Sequence, residues 1–160
     1  MRSRHVGACI VVVSVAALVL GGCATGGSPK MTATETVTER QRLMKLNGAS
    51  WADAQAKLKA GSTEAIAVNA ETMAMNARSI TGLFPEGSMT PESKAKPEIW
   101  QKWAEFESAA KNFQAQAEKL RDAARSKDKA AAEAVAKDFG RLACGTCHTP
   151  FRVPPPPRPS

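Results

Sequence analysis

An apolar stripe between positions 103 and 124 is the feature that most constrains the fold of this 160-residue chain. Its members recur at alternating steps of three and four residues, which places them on one face of an α-helix. A helix with one apolar face must bury that face against other elements, so the stripe predicts a packed helical domain. Its members are Trp103, Phe106, Ala110, Phe113, Ala117, Leu120 and Ala124.

The composition argues against a fold rich in β-sheet. Aromatic residues make up 5% of the chain and tyrosine is absent, whereas strands favour aromatic and β-branched residues. The length gives room for one domain. The formal charge of +7 fits an acidic partner or surface, but acidic and basic residues are mixed along the chain. Because they are not clustered, we expect no nucleic-acid partner.

Two more helices are predicted before the stripe. Steps of three and four residues over about 34–60 predict the first helix, and Gly61 suits its end. Ser62 or Thr63 can cap the second helix, which runs to about Ile80. The predicted inner faces are Val37, Arg40, Met44, Gly48, Trp51, Gln55 and Leu58 in the first helix, and Ile66, Met73, Ala77 and Ile80 in the second.

A fourth helix is predicted after the stripe. Asp128 can cap it, because a short carboxylate accepts hydrogen bonds from the first backbone amides of a helix. The helix ends near Thr149, since Pro150 cannot continue it. Its inner face carries Val135, Phe139 and Leu142.

These patterns predict an all-α fold, an antiparallel four-helix bundle over residues 35–152. A long loop over 82–96 precedes Pro97, which suits the first turn of the third helix. The inner faces are rich in alanine and bury little apolar area per residue, so a large apolar cofactor would complete the core. Residues 153–160 form a proline-rich tail, which we expect to be extended and outside the bundle.

Residues 1–22 have the parts of a secretory signal peptide. Arg2 and Arg4 precede an apolar run that is too short to span a membrane comfortably. The segment Leu20-Gly21-Gly22-Cys23 resembles a lipobox, which implies cleavage before Cys23 and lipidation of its sulfur. An ordinary secretory signal peptide is the alternative. Residues 23–34 are expected to form a flexible tether, and the protein is expected to be periplasmic and lipid-anchored to a bacterial membrane.

The chemistry is expected at Cys144-Gly-Thr-Cys147-His148. Cys-x-x-Cys-His is the attachment signature for c-type haem. Helical residues three and four apart share a face, so both thiols can form thioethers at one porphyrin edge while His148 reaches the iron. A thiol–disulfide redox pair would follow a strand, and a zinc site would need a further ligand. We therefore expect one covalent haem c, held by Cys144, Cys147 and His148.

A haem motif at the end of a four-helix bundle resembles the class II cytochromes c, which are the cytochromes c′ and their low-spin relatives. The segment from Cys144 to Arg152 is similar to the family ending Cys-x-x-Cys-His-x-x-Phe/Tyr-Arg. The segment Lys96-Pro-Glu-Ile-Trp100 resembles the start of the family's third helix, and Leu83-Phe-Pro85 resembles its loop. Pro150 and the proline-rich tail depart from the pattern. The resemblance implies an electron-transfer protein rather than an enzyme, with redox partner proteins; a homodimer is possible.

The resemblance also assigns the distal side of the iron. In the family's first helix an Arg is followed four residues later by the residue that faces the iron, and Arg40 and Met44 fit that spacing. It implies that Arg40 pairs with a haem propionate and that Met44 is the sixth ligand, as in the low-spin members, giving a one-electron carrier. An iron that Met44 covers without binding would be five-coordinate and bind nitric oxide. A lipid-anchored structural or assembly subunit is the third interpretation.

The residues alone leave both roles open. A Met on an apolar stripe is more often part of the core than a ligand, and an Arg near the start of a helix is often solvated. Met73 on the second helix is the rival iron ligand. Trp51 and Phe139 are expected to pack in the core.

Overall fold

The computed structural model describes residues 30–156, which are helical apart from turns, loops and one isolated β-bridge. Four helical segments pack into the predicted four-helix bundle, which confirms the fold class. The α-helices are α1 (Ala33–Lys59), α2 (Ala67–Ala77), α3 (Glu98–Gln101), α4 (Trp103–Arg125), α5 (Lys129–Phe139) and α6 (Thr146–Phe151). Two 3₁₀ turns (Glu64–Ile66 and Thr81–Leu83) flank α2, and a π-helical turn (Gly140–Gly145) joins α5 to α6.

Several expectations lie outside the described residues. These are the signal peptide, Cys23, most of the tether and the last four residues of the tail. Within residues 30–156, no helix is both long enough and apolar enough to cross a membrane.

α1 agrees with the helix predicted over about 34–60, and a capping box sets its start. The Thr32 hydroxyl accepts a hydrogen bond from the Glu35 backbone N at 3.2 Å, and the Glu35 carboxylate accepts one from the Thr32 backbone N at 2.7 Å. This capping box begins the helix at Ala33, inside the segment predicted to be a tether. The inner face is also rotated from the predicted one: Leu43, Asn47 and Ala54 are buried, whereas Gly48 and Gln55 are exposed.

The second helix is shorter than predicted. A 3₁₀ turn precedes it, and Thr63 makes no side-chain capping bond. The α-helix ends at Ala77 rather than near Ile80, where Ser, Thr and Gly follow and are poor helix formers. The predicted inner face is nevertheless buried at Ile66, Met73, Ala77 and Ile80.

The third predicted helix is divided in two. Lys102, with φ −123° and ψ 47°, separates α3 from α4. Trp103, the first member of the predicted stripe, is consequently 39% exposed, and its ring packs 5.5 Å from that of Phe106. The other six members of the stripe are all buried.

The fourth helix changes its hydrogen-bond register after α5. A π-helical turn has i→i+5 spacing and so takes one extra residue per turn. Because of that extra residue, Ala143 is buried while Leu142, which was predicted to be internal, is 37% exposed. The helix also continues through Pro150 to Phe151 instead of ending near Thr149. Pro150 lies in the last turn, where it removes only one backbone hydrogen bond.

The core joins all four helical segments. Trp51 of α1 stacks on Phe139 of α5 with ring centroids 4.5 Å apart, and Phe113 of α4 meets Phe139 edge to face at 6.2 Å. Trp51 and Phe139 therefore pack in the core as expected. Seven alanines of α2, α4 and α5 lie among the other buried core residues.

Replacing Asp128 with Ala is expected to lower the free energy of unfolding by about 1 kcal/mol. The Asp128 carboxylate accepts a hydrogen bond from the Ala131 backbone N at 2.9 Å, which confirms it as the N-cap of α5. Urea denaturation measures the difference. Asp128→Asn keeps a capping oxygen and should lose much less stability; an equal loss in the two variants would contradict the capping role.

Candidate haem site

One end of the bundle contains a cavity of about 510 Å³. This volume lies in the range of small-molecule and cofactor sites. α1 forms one side of the cavity, and α6 together with the loop before α3 forms another. The apolar part of its lining comes from Val37, Ile80, Phe84, Ala95, Ile99, Phe106 and Phe151.

The Cys-x-x-Cys-His motif crosses the junction between the π-helical turn and α6. Cys144 lies in the π-helical turn, and Cys147 and His148 lie in the first turn of α6. Cys144 and Cys147 are not joined by a disulfide, and both are of intermediate burial. Cys147 and His148 line the cavity, whereas Cys144 packs against the adjoining core.

The protonation of these side chains argues against thiol–disulfide chemistry. Burial raises the pKa of Cys144, and burial together with the neighbouring Cys144 raises the pKa of Cys147 to about 11. Redox-active cysteine pairs instead have lowered pKa values. Burial, and then the charge of Arg152, lowers the pKa of His148, which favours the neutral imidazole that binds metal ions. Among residues 30–156, no group of three or more His, Cys, Asp or Glu side chains is placed to hold a metal ion.

Arg40 is 5% exposed and lines the cavity. Its Nε donates to the Leu83 carbonyl, and its Nη2 donates to the Ser88 hydroxyl and, at 2.9 Å, to the Ser88 carbonyl. The guanidinium carbon lies 4.2 Å from the centroid of the Phe84 ring. Arg40 is therefore a buried residue, and the alternative of a solvated position is wrong.

One nitrogen of Arg40 has no partner in the described structure. Its Nη1 is buried and makes no hydrogen bond. Burial lowers the pKa of Arg40 to about 10, so the side chain stays charged at neutral pH. A buried cation with a free donor fits an anionic group such as a haem propionate. Together with the apolar lining, the two thiols and the imidazole, this makes the cavity a suitable site for a c-type haem.

Met44 lies one helical turn after Arg40 and lines the same cavity as His148. Met73, the rival ligand, is 1% exposed within the core and is not part of the cavity lining. Met75 is 59% exposed on the outer face of α2. The structure thus brings together Arg40, Met44, Cys147 and His148 around one cavity.

Comparison with known proteins identifies the family to which this four-helix bundle is similar. The family model described as Cytochrome C′ matches residues 35–152. The chain belongs to the cytochrome c′ family. It is 33% identical over 121 residues to cytochrome c-556 from Agrobacterium tumefaciens (strain II Chrys), an alignment that covers 73% of this chain and 96% of that protein. As a family member, the chain is a monohaem protein with one covalent c-type haem.

Solved cytochrome c′ structures have the same fold. One, described as having a ligand-controlled dimer dissociation, superposes with a TM-score of 0.71 at 23% identity and covers 79% of this chain and 100% of its own. Another is the nitric oxide complex of a variant from Alcaligenes xylosoxidans, with a TM-score of 0.70 at 24% identity and coverage of 79% and 100%. At these identities the likeness shows the fold alone.

Arg40→Lys is expected to destabilise this cytochrome by about 1–3 kcal/mol, because lysine cannot serve the Leu83 and Ser88 acceptors together. Urea denaturation of the haem-bearing protein measures the change. Arg42→Lys is the matched control on the same helix, since Arg42 is exposed and pairs only with Glu39 at 2.6 Å. The control should change little, and equal losses in the two variants would show that the Arg40 contacts contribute nothing.

The cytochrome also contains contacts at the haem motif that its sequence did not predict. The Asn112 side chain of α4 donates to the Leu142 carbonyl and, at 3.3 Å, to the Thr146 hydroxyl. The Asn112 side chain therefore satisfies a backbone carbonyl, that of Leu142, inside the π-helical turn. No sequence signal marked Asn112, because its partners lie 30 and 34 residues away.

The tail does not leave the bundle immediately after α6. Ala95 and Arg152 form the isolated antiparallel β-bridge. The Lys96 backbone N donates to the Phe151 carbonyl at 2.9 Å, and the Val153 backbone N donates to the Lys94 carbonyl at 2.8 Å. The first two residues after α6 are thus fixed against the loop before α3, and residues 153–156 are exposed.

Proposed function

We propose that this protein is a periplasmic one-electron carrier whose haem iron is bound by His148 and Met44. The main support is that these two side chains, from α6 and α1, line a single cavity. A bound haem supplies an iron that alternates between the ferric and ferrous states, and His/Met ligation raises its reduction potential. Two protein ligands would leave no open coordination position, which suits electron transfer better than substrate chemistry and is consistent with a protein that is not an enzyme.

The other residues of the cavity have separate roles in this proposal. Cys144 and Cys147 would hold the haem covalently: each S–H bond would add across one vinyl group, with sulfur bonding to one vinyl carbon and hydrogen to the other, so no oxidant is needed. Arg40 would donate a hydrogen bond from its Nη1–H group, which has no partner among the described residues, to a propionate. Ile99 and Phe106 contribute to the apolar lining, which excludes water.

Nitric oxide binding at a five-coordinate iron is the second candidate, and the comparisons support it better than they support His/Met ligation. The solved relatives include nitric oxide complexes of variants of the Alcaligenes xylosoxidans cytochrome c′. In this chain, Met44 would then cover the iron without binding it. A flexible thioether side chain could also move aside for a gas ligand.

Optical and electron paramagnetic resonance spectra of the purified ferric and ferrous protein distinguish the two candidates. A low-spin iron in both states, with slow or absent nitric oxide binding, is the result that the carrier predicts. A high-spin iron that binds nitric oxide rapidly would contradict the carrier and support gas binding.

We also propose that Cys23 is acylated, on the basis of the lipobox-like sequence before it. Mass spectrometry of the mature N-terminus should find a lipid-modified Cys23. An unmodified amino terminus downstream of Cys23 would disprove the anchor. Cys23→Ser should leave the haem spectrum unchanged, because the residue precedes the bundle. The structural or assembly interpretation gains no support from the described residues.

A homodimer is a further proposal, supported by the solved relative that is described as having a ligand-controlled dimer dissociation. Sedimentation velocity over a range of protein concentrations, with and without nitric oxide, tests it. A single monomeric species at every concentration would contradict it.

A further inference from the structure

The residues that line the haem cavity carry charge of one sign only. Four of the sixteen are Arg or Lys, and none is Asp or Glu. Arg40 is buried inside, whereas Lys45 and Lys94 are exposed and Arg152 is half-buried. These last three therefore lie at the opening of the cavity, and we call them the basic opening. They come from α1, from the loop before α3 and from the residue after α6.

The basic opening is not neutralised by the chain itself. Ten other Arg and Lys side chains make ion pairs within 4 Å, and they are Arg42, Lys57, Arg78, Lys102, Lys111, Arg121, Arg125, Lys127, Lys129 and Arg141. Within residues 30–156, none of Lys45, Lys94 and Arg152 makes such a pair. The four cations that line the cavity outnumber the two propionates of a haem.

We propose that the basic opening is the docking surface for a redox protein that presents an acidic surface. The inference rests on the proposed exchange of electrons at this haem, and it holds for either set of iron ligands. Positive charges concentrated around a concave site raise the rate of encounter with anionic partners. The opening is also where the cavity meets solvent, so a partner docked there approaches the haem directly.

An anionic bilayer is the competing occupant. The three cations come from separate elements and surround a concave opening. They therefore complement a protruding acidic protein surface better than the flat surface of a bilayer. The shape of the opening therefore favours a protein partner, and the vesicle experiment below tests binding to a membrane.

The first test measures oxidation of the ferrous holoprotein by small probes of opposite charge in stopped flow at low ionic strength. The variant Lys45→Glu/Lys94→Glu is compared with Lys119→Glu/Lys137→Glu, which makes the same charge change at exposed lysines that do not line the cavity. Ferricyanide should react about tenfold more slowly with the first variant, and tris(phenanthroline)cobalt(III) faster, by analogy with steered association. For the control variant, the rate with either probe should change less than twofold, because solvent ions screen exposed charges that lie far from the opening.

The second test measures binding of two anionic probes to the full chain carrying Cys23→Ser. A synthetic polyglutamate peptide should bind the unmodified opening and the control variant, and binding should be lost in Lys45→Glu/Lys94→Glu. Phosphatidylglycerol vesicles should show no such difference. Equal ferricyanide rates in the two variants would overturn the proposal, as would vesicle binding that depends on the opening while peptide binding does not. The spectra that test His148 and Met44 are independent of either result.

Discussion

Replacing both Cys144 and Cys147 with alanine is expected to abolish covalent haem attachment completely. No thioether can form without these thiols, and His148 alone holds haem only reversibly. The mass of the purified polypeptide and haem staining after denaturing electrophoresis measure attachment directly. We also expect the double variant to unfold at a lower temperature, because the alanine-rich inner faces bury little apolar area without the porphyrin.

Each single cysteine variant should retain haem through the remaining thioether. Thr149→Ala is a suitable control, since Thr149 is exposed next to His148 and should keep full attachment. The assignment of the two thiols would be wrong if acidified organic solvent extracted haem from the unmodified protein. It would also be wrong if the double variant kept haem after denaturation.

Replacing Met44 with alanine is expected to convert a low-spin iron to a high-spin one. Removal of the thioether opens the distal side, so carbon monoxide and nitric oxide should bind much faster than they bind the unmodified protein. The reduction potential should fall by on the order of 100 mV, since axial ligands set haem potentials over a wide range. Optical spectra, gas-binding kinetics and potentiometric titration measure the three changes.

Two other methionines provide controls for Met44→Ala. Met75 is 59% exposed on α2, so Met75→Ala should change neither the spectrum nor the stability appreciably. Met73 is buried in the core, so Met73→Ala should keep the iron ligands but cost about 2–5 kcal/mol of stability. If the unmodified protein is already high-spin and Met44→Ala does not alter it, Met44 is not a ligand and the gas-binding candidate replaces the carrier.

The fold class was predictable because burial follows the helical period closely. The stripe from Phe106 to Ala124 is buried at every predicted position, since one uninterrupted helix keeps its register. The predicted faces failed where local backbone geometry changes that register. Lys102 leaves the helical region before Trp103, and the π-helical turn exchanges Leu142 for Ala143. Such changes depend on hydrogen bonds that a periodic pattern does not contain.

The haem-attachment side of the candidate site, on α6 and the π-helical turn, was more predictable than the opposite side on α1. The spacing of Cys144, Cys147 and His148 carries its own chemical meaning, so no tertiary information was needed to propose a haem. The resemblance to the family suggested Arg40 and Met44, and both line the cavity. The partners that orient Arg40 could not be predicted, because they lie 43 and 48 residues later in the chain. The basic opening, whose cations have no ion-pair partner among residues 30–156, likewise became visible only once three distant segments were folded together.

The π-helical turn makes the haem motif geometrically independent of the helix that precedes it. Geometrically, the turn takes up about one more residue than an α-helical turn does, without breaking the helix. α5 can therefore keep the register that buries Phe139 against Trp51, while α6 keeps a different register that turns His148 towards the cavity. The packing of Phe139 against Trp51 and the placement of His148 at the cavity are thus set by separate registers within one continuous helical segment.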